Sequence, residues 1–220
     1  MPFQRHGSRR VGRGDLSISS DNLVLIVQLV VQAARRTRRR LYDGGGTAFD
    51  ENKITIELHK EIVRLLRYRG FRHLTFLLEA SLNTPDGELG KVDGRIDLQV
   101  VFAEWLCPDE YYFGVECKRL RPGDTGTFRY YVDAGVGKFA DGTYSPGHPV
   151  GMLVGYLMAD AAAAVTDELS RRVTSRYPGA IALACWPDKS YRDADIVTGA
   201  VPRAAGLPIE ILHTVVRMHG

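Results

Sequence analysis

Cysteine is scarce in this chain, and the three cysteines do not form a group. Cys107, Cys117 and Cys185 are far apart, and none belongs to a Cys-x-x-Cys pair. The six histidines are scattered as well, which argues against a structural zinc site because such sites need closely spaced Cys and His ligands. Isolated cysteines in apolar surroundings predict reduced, mostly buried thiols and a cytoplasmic protein.

A hydrophobic run long enough to cross a membrane is also missing. Residues 23–31 (LVLIVQLVV) are apolar, but the run is only nine residues long, contains Gln28 and leads into an arginine cluster. A membrane-spanning helix needs about 20 apolar residues, and a signal peptide needs a small-residue cleavage site that does not follow this run. We therefore expect a buried helix here and no contact with a membrane.

Acidic residues are few near the N-terminus, which divides the chain by charge. Residues 1–40 contain nine Arg and two Asp, a net charge of +7, whereas the remainder carries −4. Residues 1–18 are rich in Arg and Gly, which predicts a basic flexible arm that contacts phosphates. Residues 19–46 are expected to form a helix and a glycine linker, and residues 47–220 a single domain.

Two predicted strands bring ionisable residues together. Residues 111–120 (YYFGVECKRL) favour a strand with apolar residues on one face and Glu116 and Lys118 on the other. The apolar face consists of Phe113, Val115 and Cys117. Residues 95–102 (RIDLQVVF) alternate similarly, with Asp97 facing away from the residues expected to be buried. Those residues are Ile96, Leu98 and Val100.

If these strands pair, two carboxylates and one ammonium converge. Carboxylate oxygens suit a hard divalent cation with a bound water, which is the arrangement used to hydrolyse phosphodiesters. The alternative is that Glu116 and Lys118 form an ordinary exposed ion pair, worth about 0.2–1 kcal/mol.

Asp97, a spacer and then Glu116-Cys117-Lys118 resemble the motif of the PD-(D/E)xK, restriction-endonuclease-like nuclease superfamily. The resemblance extends over residues 50–220, with Ile96 where the family name has Pro and with no recognisable target-recognition segment. It implies an α/β/α sandwich with a mixed central sheet flanked by helices. It also implies that Asp97, Glu116 and the main-chain carbonyl of Cys117 bind Mg²⁺, for which Mn²⁺ substitutes, and that Lys118 orients the attacking water.

Asp93 and Glu104 compete with Asp97 as the first acid of the motif. Asp93 precedes Gly94 and favours a turn, while Glu104 lies where the strand ends. Asp97 lies inside the apolar alternation, where a carboxylate needs a partner such as a cation. We therefore prefer Asp97.

A helix is predicted over residues 51–68, with Asp50 as its N-cap and an apolar stripe at helical spacing. In the resembled family, the helix before the first motif strand often supplies a Glu to the metal. The resemblance therefore implies Glu57 as a further metal ligand and catalytic residue. The alternative is that Glu57 pairs in solvent with Lys53.

Basic residues expected to contact nucleic acid lie in two places. Lys138 belongs to a segment similar to one that follows the catalytic lysine in some nucleases of this superfamily; the alternative is an exposed helix lysine. The second place is the end of a helix predicted over residues 22–40, which holds Arg35, Arg36, Arg38, Arg39 and Arg40. These arginines would also complement the helix dipole. The apolar first half of the helix suits either a dimer interface or a position beneath the sheet.

The C-terminal part is expected to alternate helix and strand. A long helix is predicted over residues 151–177, a short buried strand over 180–186, an irregular segment over 188–203 and a last strand over 207–218. His213 shares the apolar face of the last strand and is predicted to be a core histidine. The fold class that results is α/β.

The predicted function is that of a Mg²⁺-dependent endonuclease acting on nucleic acid, with DNA as the expected substrate. A homodimer or a partner subunit is expected, because cutting both strands commonly needs two sites. By analogy, the resemblance suggests a bacterial restriction or anti-phage role. The alternative is a catalytically silent protein of the same fold that binds nucleic acid or a partner subunit.

Overall fold

A computed structural model describes the chain over residues 18–42, 49–82, 94–103, 112–145, 148–159, 162–186, 191, 193–204 and 206–219. The predicted arm, the glycine linker at residues 44–46 and the alternative acids Asp93 and Glu104 lie outside these residues, apart from Ile18 at the end of the arm. Among the described residues, no helix combines the length and apolar composition that crossing a membrane requires.

The first half of the chain forms two helices followed by three strands. These are α1 (Ser20–Tyr42), α2 (Glu51–Arg69), β1 (Leu74–Leu82), β2 (Gly94–Phe102) and β3 (Phe113–Leu120). The Asp50 side chain caps α2 by accepting a hydrogen bond from the Lys53 N–H at 2.7 Å, and Gly70 ends it with φ of 69°. The bounds of α1, α2, β2 and β3 agree with the sequence predictions to within a few residues.

The second half forms a helical segment and then alternates strand and helix. The helical segment consists of α3 (Thr125–Tyr130), a π-helical turn (Tyr131–Val136) and α4 (Gly137–Ala140). It is followed by β4 (Val150–Leu157), α5 (Ala162–Arg176), β5 (Ala184–Cys185), β6 (Ala194–Val201) and β7 (Ile209–Arg217).

The seven strands form one mixed sheet in the order β1-β2-β3-β4-β7-β6-β5. The central pairs β3–β4 and β4–β7 are parallel, and the other pairs are antiparallel. One face packs against α1 and α2, and the other packs against the α3–α4 segment and α5. The chain is therefore an α/β protein with a mixed sheet between helical layers.

Strand β3 is buried on both faces. Every residue of β3 except Arg119 is buried, and Glu116 and Lys118 are only 4% exposed. The alternative of an exposed Glu116–Lys118 pair is therefore wrong, because helices cover both faces of the central strands.

Helix α1 packs beneath the sheet within the main core. Its apolar side chains, including Ile26, Leu29 and Val30, are fully buried against α2 and the strands. Of the two positions that suit this apolar stretch, the structure shows the one beneath the sheet, with Leu23 and Leu25 only partly buried. A homodimer stays a prediction.

The prediction of one helix over residues 151–177 is wrong for the first part of that range. Residues 150–157 form β4, which lies between β3 and β7. Among the described residues of the predicted range, only Ala162–Arg176 is helical. A parallel strand buried on both faces is continuously apolar, so its sequence shows no alternation that separates it from a buried helix.

The predictions around β5 and β6 are also wrong. Residues 194–201 were expected to be irregular but form β6. Only Ala184–Cys185 of the predicted buried strand is extended; both residues are exposed on the outermost strand, and Ile181 is 64% exposed. Cys185 is therefore not a buried thiol, whereas Cys117 is buried. Cys107 lies outside the described residues. The last strand and the burial of His213 are confirmed.

Candidate functional site

The backbone hydrogen bonds between β2 and β3 end before Asp97, and from there side-chain carboxylates accept hydrogen bonds from the backbone N–H groups. The backbone ladder between the two strands includes the pair Leu98 and Val115 and does not continue to Asp97. The Cys117 N–H instead donates to Asp97 Oδ2 at 2.8 Å, and the Asp97 N–H lies 3.4 Å from Glu116 Oε2. Two acidic side chains are thereby fixed at the separation of the strands.

The apolar alternation of β2 changes at the same residue. Leu98 and Val100 pack into the core beneath α1 and α2, whereas Ile96 packs into the opposite core. The prediction that these three residues share one face is therefore wrong for Ile96. On the neighbouring strand β1, Glu79 has a φ of 48°, and it is absent from the pairing with Asp97. The strand distortion re-aims the side chains beside the site.

The ammonium of Lys118 lies at the centre of four oxygen atoms. Its Nζ is 2.5 Å from Glu116 Oε1, 2.9 Å from the Cys117 carbonyl oxygen and 3.3 Å from Glu51 Oε1. The fourth atom is Asp97 Oδ2, at 3.9 Å. The three residues predicted to bind a cation, Asp97, Glu116 and Cys117 through its carbonyl, are therefore brought together.

Glu51, and not Glu57, is the acidic residue that α2 brings to this cluster. Glu51 is the first residue of α2, and its Oε2 also accepts a hydrogen bond from the Arg119 N–H at 2.8 Å. Glu57 pairs with Lys60 at 2.7 Å and with Arg40 at 3.8 Å. The placement predicted for Glu57 is wrong, since six residues of helix turn its side chain about 240° away from that of Glu51.

One signal in the sequence pointed to Glu51. It follows the N-cap Asp50 directly, and an acid in the first turn is usually explained by the helix dipole alone. Its position becomes meaningful only once the start of α2 is known to lie beside β3, which the sequence does not reveal.

Burial changes the proton affinities in the cluster. Burial, followed by the charge of Asp97, raises the pKa of Glu116 to about 7. Burial also raises the pKa of Asp97, despite the opposing effect of Lys118. For Lys118, burial acts to lower the pKa, but the carboxylates of Glu116, Asp97 and Glu51 outweigh it and raise the pKa. Lys118 is therefore a charged ammonium, because the surrounding carboxylates outweigh the effect of burial.

The helical segment after β3 covers the cluster. The ring of Tyr130 lies 5.4 Å from Lys118 Nζ, and this tyrosine is 56% exposed. Gly135, in the π-helical turn, is so close to β4 that a Cβ would be 2.5 Å from Leu153 Cδ2 and 3.8 Å from Lys118 Cγ. The π-helical turn thus brings backbone directly against the lysine side chain.

A cleft of about 460 Å³ opens beside the cluster. Its lining includes Glu51, Arg119 and Tyr130, together with residues at the start of α3 such as Asp124 and Thr127. Glu51 and Tyr130 connect the cleft to the cluster, because both line the cleft and lie near Lys118 Nζ. Lys118 itself is buried behind them and is not part of the lining.

The structure places the residues predicted to contact nucleic acid on α4 and at the end of α1. Lys138 is a half-buried residue of α4 that has no ion pair among the described residues. Arg35 and Arg38 pair with Asp193 at 2.6 and 3.8 Å, and Arg40 pairs with Glu61 at 3.2 Å.

Two arginines of α1 remain available to a partner. Arg36 and Arg39 are exposed, and neither has an ion pair within the described residues. The arginine run is thus divided between ion pairs that fasten α1 and two exposed cations.

The donor set suits a hard divalent cation, although no group of three or more His, Cys, Asp or Glu arranged to hold a metal ion occurs among the described residues. All four atoms around Lys118 Nζ are oxygens, the donors that Mg²⁺ prefers. In this structure the four oxygens surround the ammonium of Lys118, so the position that a metal ion would take is filled by a charged side chain.

Comparisons with protein-family models, curated proteins and solved structures give no match for this chain.

Proposed function

We propose that this protein is a divalent-metal-dependent nuclease of the PD-(D/E)xK type and that it hydrolyses phosphodiester bonds in DNA. The observation that carries the proposal is the convergence of Asp97, Glu116, Glu51 and the Cys117 carbonyl on one cation position beside a cleft. The mixed sheet between helical layers agrees with the restriction-endonuclease-like fold that this class uses. The buried thiol of Cys117 is in keeping with a cytoplasmic protein.

Asp97, Glu116 and the Cys117 carbonyl would hold Mg²⁺, or Mn²⁺ in its place, with Glu51 completing the oxygen set. When bound, the metal would lower the pKa of a coordinated water and offset charge on the phosphate. The Cys117 N–H fixes the Asp97 carboxylate, and the Arg119 N–H fixes that of Glu51. Both acids are thus oriented before a ligand arrives.

Lys118 supplies the positive charge of the reaction. Its ammonium donates hydrogen bonds, so it orients the attacking water and balances the charge that develops on the phosphate. The water oxygen forms a bond to phosphorus as the bond to the leaving oxygen breaks, and the proton of the water passes to solvent or to a neighbouring carboxylate. The cleft beside Glu51 and Tyr130 is the place for the substrate strand.

The test is cleavage of supercoiled plasmid, linear duplex, single-stranded DNA and RNA with Mg²⁺, with Mn²⁺ and with EDTA. We expect metal-dependent cutting that disappears in Lys118→Ala and Glu116→Gln. Glu57→Gln is the matched control, since it removes an acid from α2 outside the cluster. Equal cutting by the wild type and both cluster variants would refute the proposal.

A catalytically silent protein that binds nucleic acid is the second candidate. The exposed Arg36 and Arg39 on α1 favour it, because such cations contact phosphates. Binding that weakens steeply with salt, without cutting in any metal, would establish this function instead.

A further inference from the structure

Lys118 occupies the position at which the oxygens of the cluster would hold a metal. Its Nζ makes its closest contacts, at 2.5 and 2.9 Å, with Glu116 Oε1 and the Cys117 carbonyl oxygen, and both residues belong to the predicted metal ligands. Glu51 and Asp97 complete the surround at 3.3 and 3.9 Å. An ammonium and a divalent cation cannot share this point, because like charges at such distances repel strongly.

The charge of the cluster leaves room for a further cation. With the carboxylates of Asp97, Glu116 and Glu51 ionised, one ammonium leaves a net charge of −2 in a largely buried site. Such a charge is costly without compensation and attracts a divalent cation.

The ammonium also has a partner that is not an oxygen of the cluster. The ring of Tyr130 is 5.4 Å from Nζ and borders the cleft, and an ammonium near an aromatic face is stabilised by the ring electrons. The Lys118 side chain is unbranched and turns about several bonds, so Nζ can leave the oxygens while its Cγ stays against Gly135.

We propose that Lys118 is an internal counter-cation that fills the metal position in the metal-free protein, and that a divalent cation binds only when the ammonium moves aside toward Tyr130. This inference rests on the proposed nuclease function and adds its regulation. The lysine that serves the reaction also limits metal occupancy, so that the site is assembled only when the metal concentration displaces it.

The test measures Mn²⁺ affinity by calorimetry in the wild type, Lys118→Met and Lys118→Arg. Lys118→Met removes the competing charge, and we expect it to bind Mn²⁺ about tenfold or more tightly than the wild type. Lys118→Arg keeps the charge and serves as the matched control, with no gain in affinity. A Lys118→Met variant that binds Mn²⁺ no more tightly than the wild type would overturn the inference.

A second measurement needs no variant, which matters if Lys118→Met fails to fold because its carboxylates repel. Proton–nitrogen NMR of lysine side chains detects a buried, hydrogen-bonded ammonium through its slow exchange with water. We expect this Lys118 signal in EDTA and its loss when Mg²⁺ saturates the site. A signal unchanged at saturating Mg²⁺ would contradict the displacement.

The two proposals fail in different ways. If the wild type cuts DNA but Lys118→Met gains no Mn²⁺ affinity, the nuclease function stands and the counter-cation role is wrong. If Lys118→Met gains Mn²⁺ affinity but the wild type cuts no substrate in any metal, the counter-cation role stands and the nuclease function is wrong.

Discussion

Six residues on α2 separate an acid that belongs to the cluster from one that does not. Glu51 contacts the Lys118 ammonium and the Arg119 N–H, whereas Glu57 contacts Lys60 and Arg40. Hydrogen bonding to Lys60 is the main cause that lowers the pKa of Glu57. The two acids share a helix and a residue type, so their comparison isolates the effect of position.

Glu51→Gln is expected to weaken Mn²⁺ binding and metal-dependent cleavage by about tenfold to a hundredfold, since residues that complete a metal site have effects of this size. Glu57→Gln is expected to change both by less than about twofold, because it removes only partly exposed ion pairs. Calorimetry and a plasmid-cutting assay on both variants check this. A larger loss in Glu57→Gln than in Glu51→Gln would show that Glu57, and not Glu51, serves the metal site.

The close approach of Gly135 to β4 makes it sensitive to one added methyl group. We expect Gly135→Ala to lower the free energy of unfolding by about 1–3 kcal/mol, because the methyl group would overlap Leu153 in a filled core. Urea denaturation measures the loss.

Leu153→Val provides the control for that variant. Shortening Leu153 makes space for the methyl group, so the double variant should lose less stability than the sum of the two single variants. Strictly additive losses would show that the contact with Leu153 is not the cause.

At the scale of elements, helix α1 serves the core rather than an interface between chains. Leu29 is fully buried, so Leu29→Ala should lower the free energy of unfolding by about 2–5 kcal/mol. The unfolding midpoint of both proteins should not depend on protein concentration, as it would if α1 were covered by a second chain. Denaturation at two widely separated concentrations checks this. A midpoint that rises with concentration would support a dimer through another surface or through α1.

The elements predictable from sequence were those with a local signal. Helix α2 has a cap at Asp50, a periodic stripe and Gly70 as its end. The strands β2 and β3 have the apolar, β-branched composition of strands and lie where the sequence predicts them. β4 has no alternation because both its faces are buried. β6 lies in a stretch predicted to be irregular, and it is a strand because it pairs with β7 along its whole length.

The residues of the candidate site also divide into those with a local signal in the sequence and those without one. Glu116 and Lys118 lie on β3, whose alternation with Phe113, Val115 and Cys117 predicts their direction. The direction of Asp97 depends on the distortion of β2 beside it. The contribution of Glu51 depends on how α2 begins against β3, a contact between elements separated by more than sixty residues of chain. No local pattern records such a contact.

At the scale of the whole molecule, the free energy of unfolding should depend on pH through two kinds of residue whose contributions change in opposite directions as the pH falls. Burial lowers the pKa of His213 to about 3 and, with the charge of Arg203, that of His148 to about 4. Between those values and about 6.5, the unfolded chain binds protons that the folded chain does not. The two histidines therefore favour folding at neutral pH, and this contribution is lost as the pH falls.

Glu116 acts in the other direction. Its pKa is raised from 4.5 to about 7, so within that range the folded chain keeps a proton that the unfolded chain releases. This contribution to stability is present below that range and is lost as the pH rises through it.

His213→Asn should therefore reduce the loss of stability on acidification by about 1 kcal/mol per pH unit between roughly pH 5 and pH 6.5. Glu116→Gln should increase that loss by a similar amount, because it removes the opposing contribution. Urea denaturation in EDTA at several pH values measures both slopes. Changes of the same sign in the two variants would contradict these assignments.

The packing of α1 against β7 also bears on how the chain is made. Side chains of α1 such as Ile26 and Val30 share one core with Leu212 and Val216 of the last strand. During synthesis, the apolar side of α1 leaves the ribosome long before β7 exists to cover it. Nascent chains that stall between α1 and β7 should therefore be bound by chaperones that recognise exposed apolar helices, and they should be released once β7 has emerged.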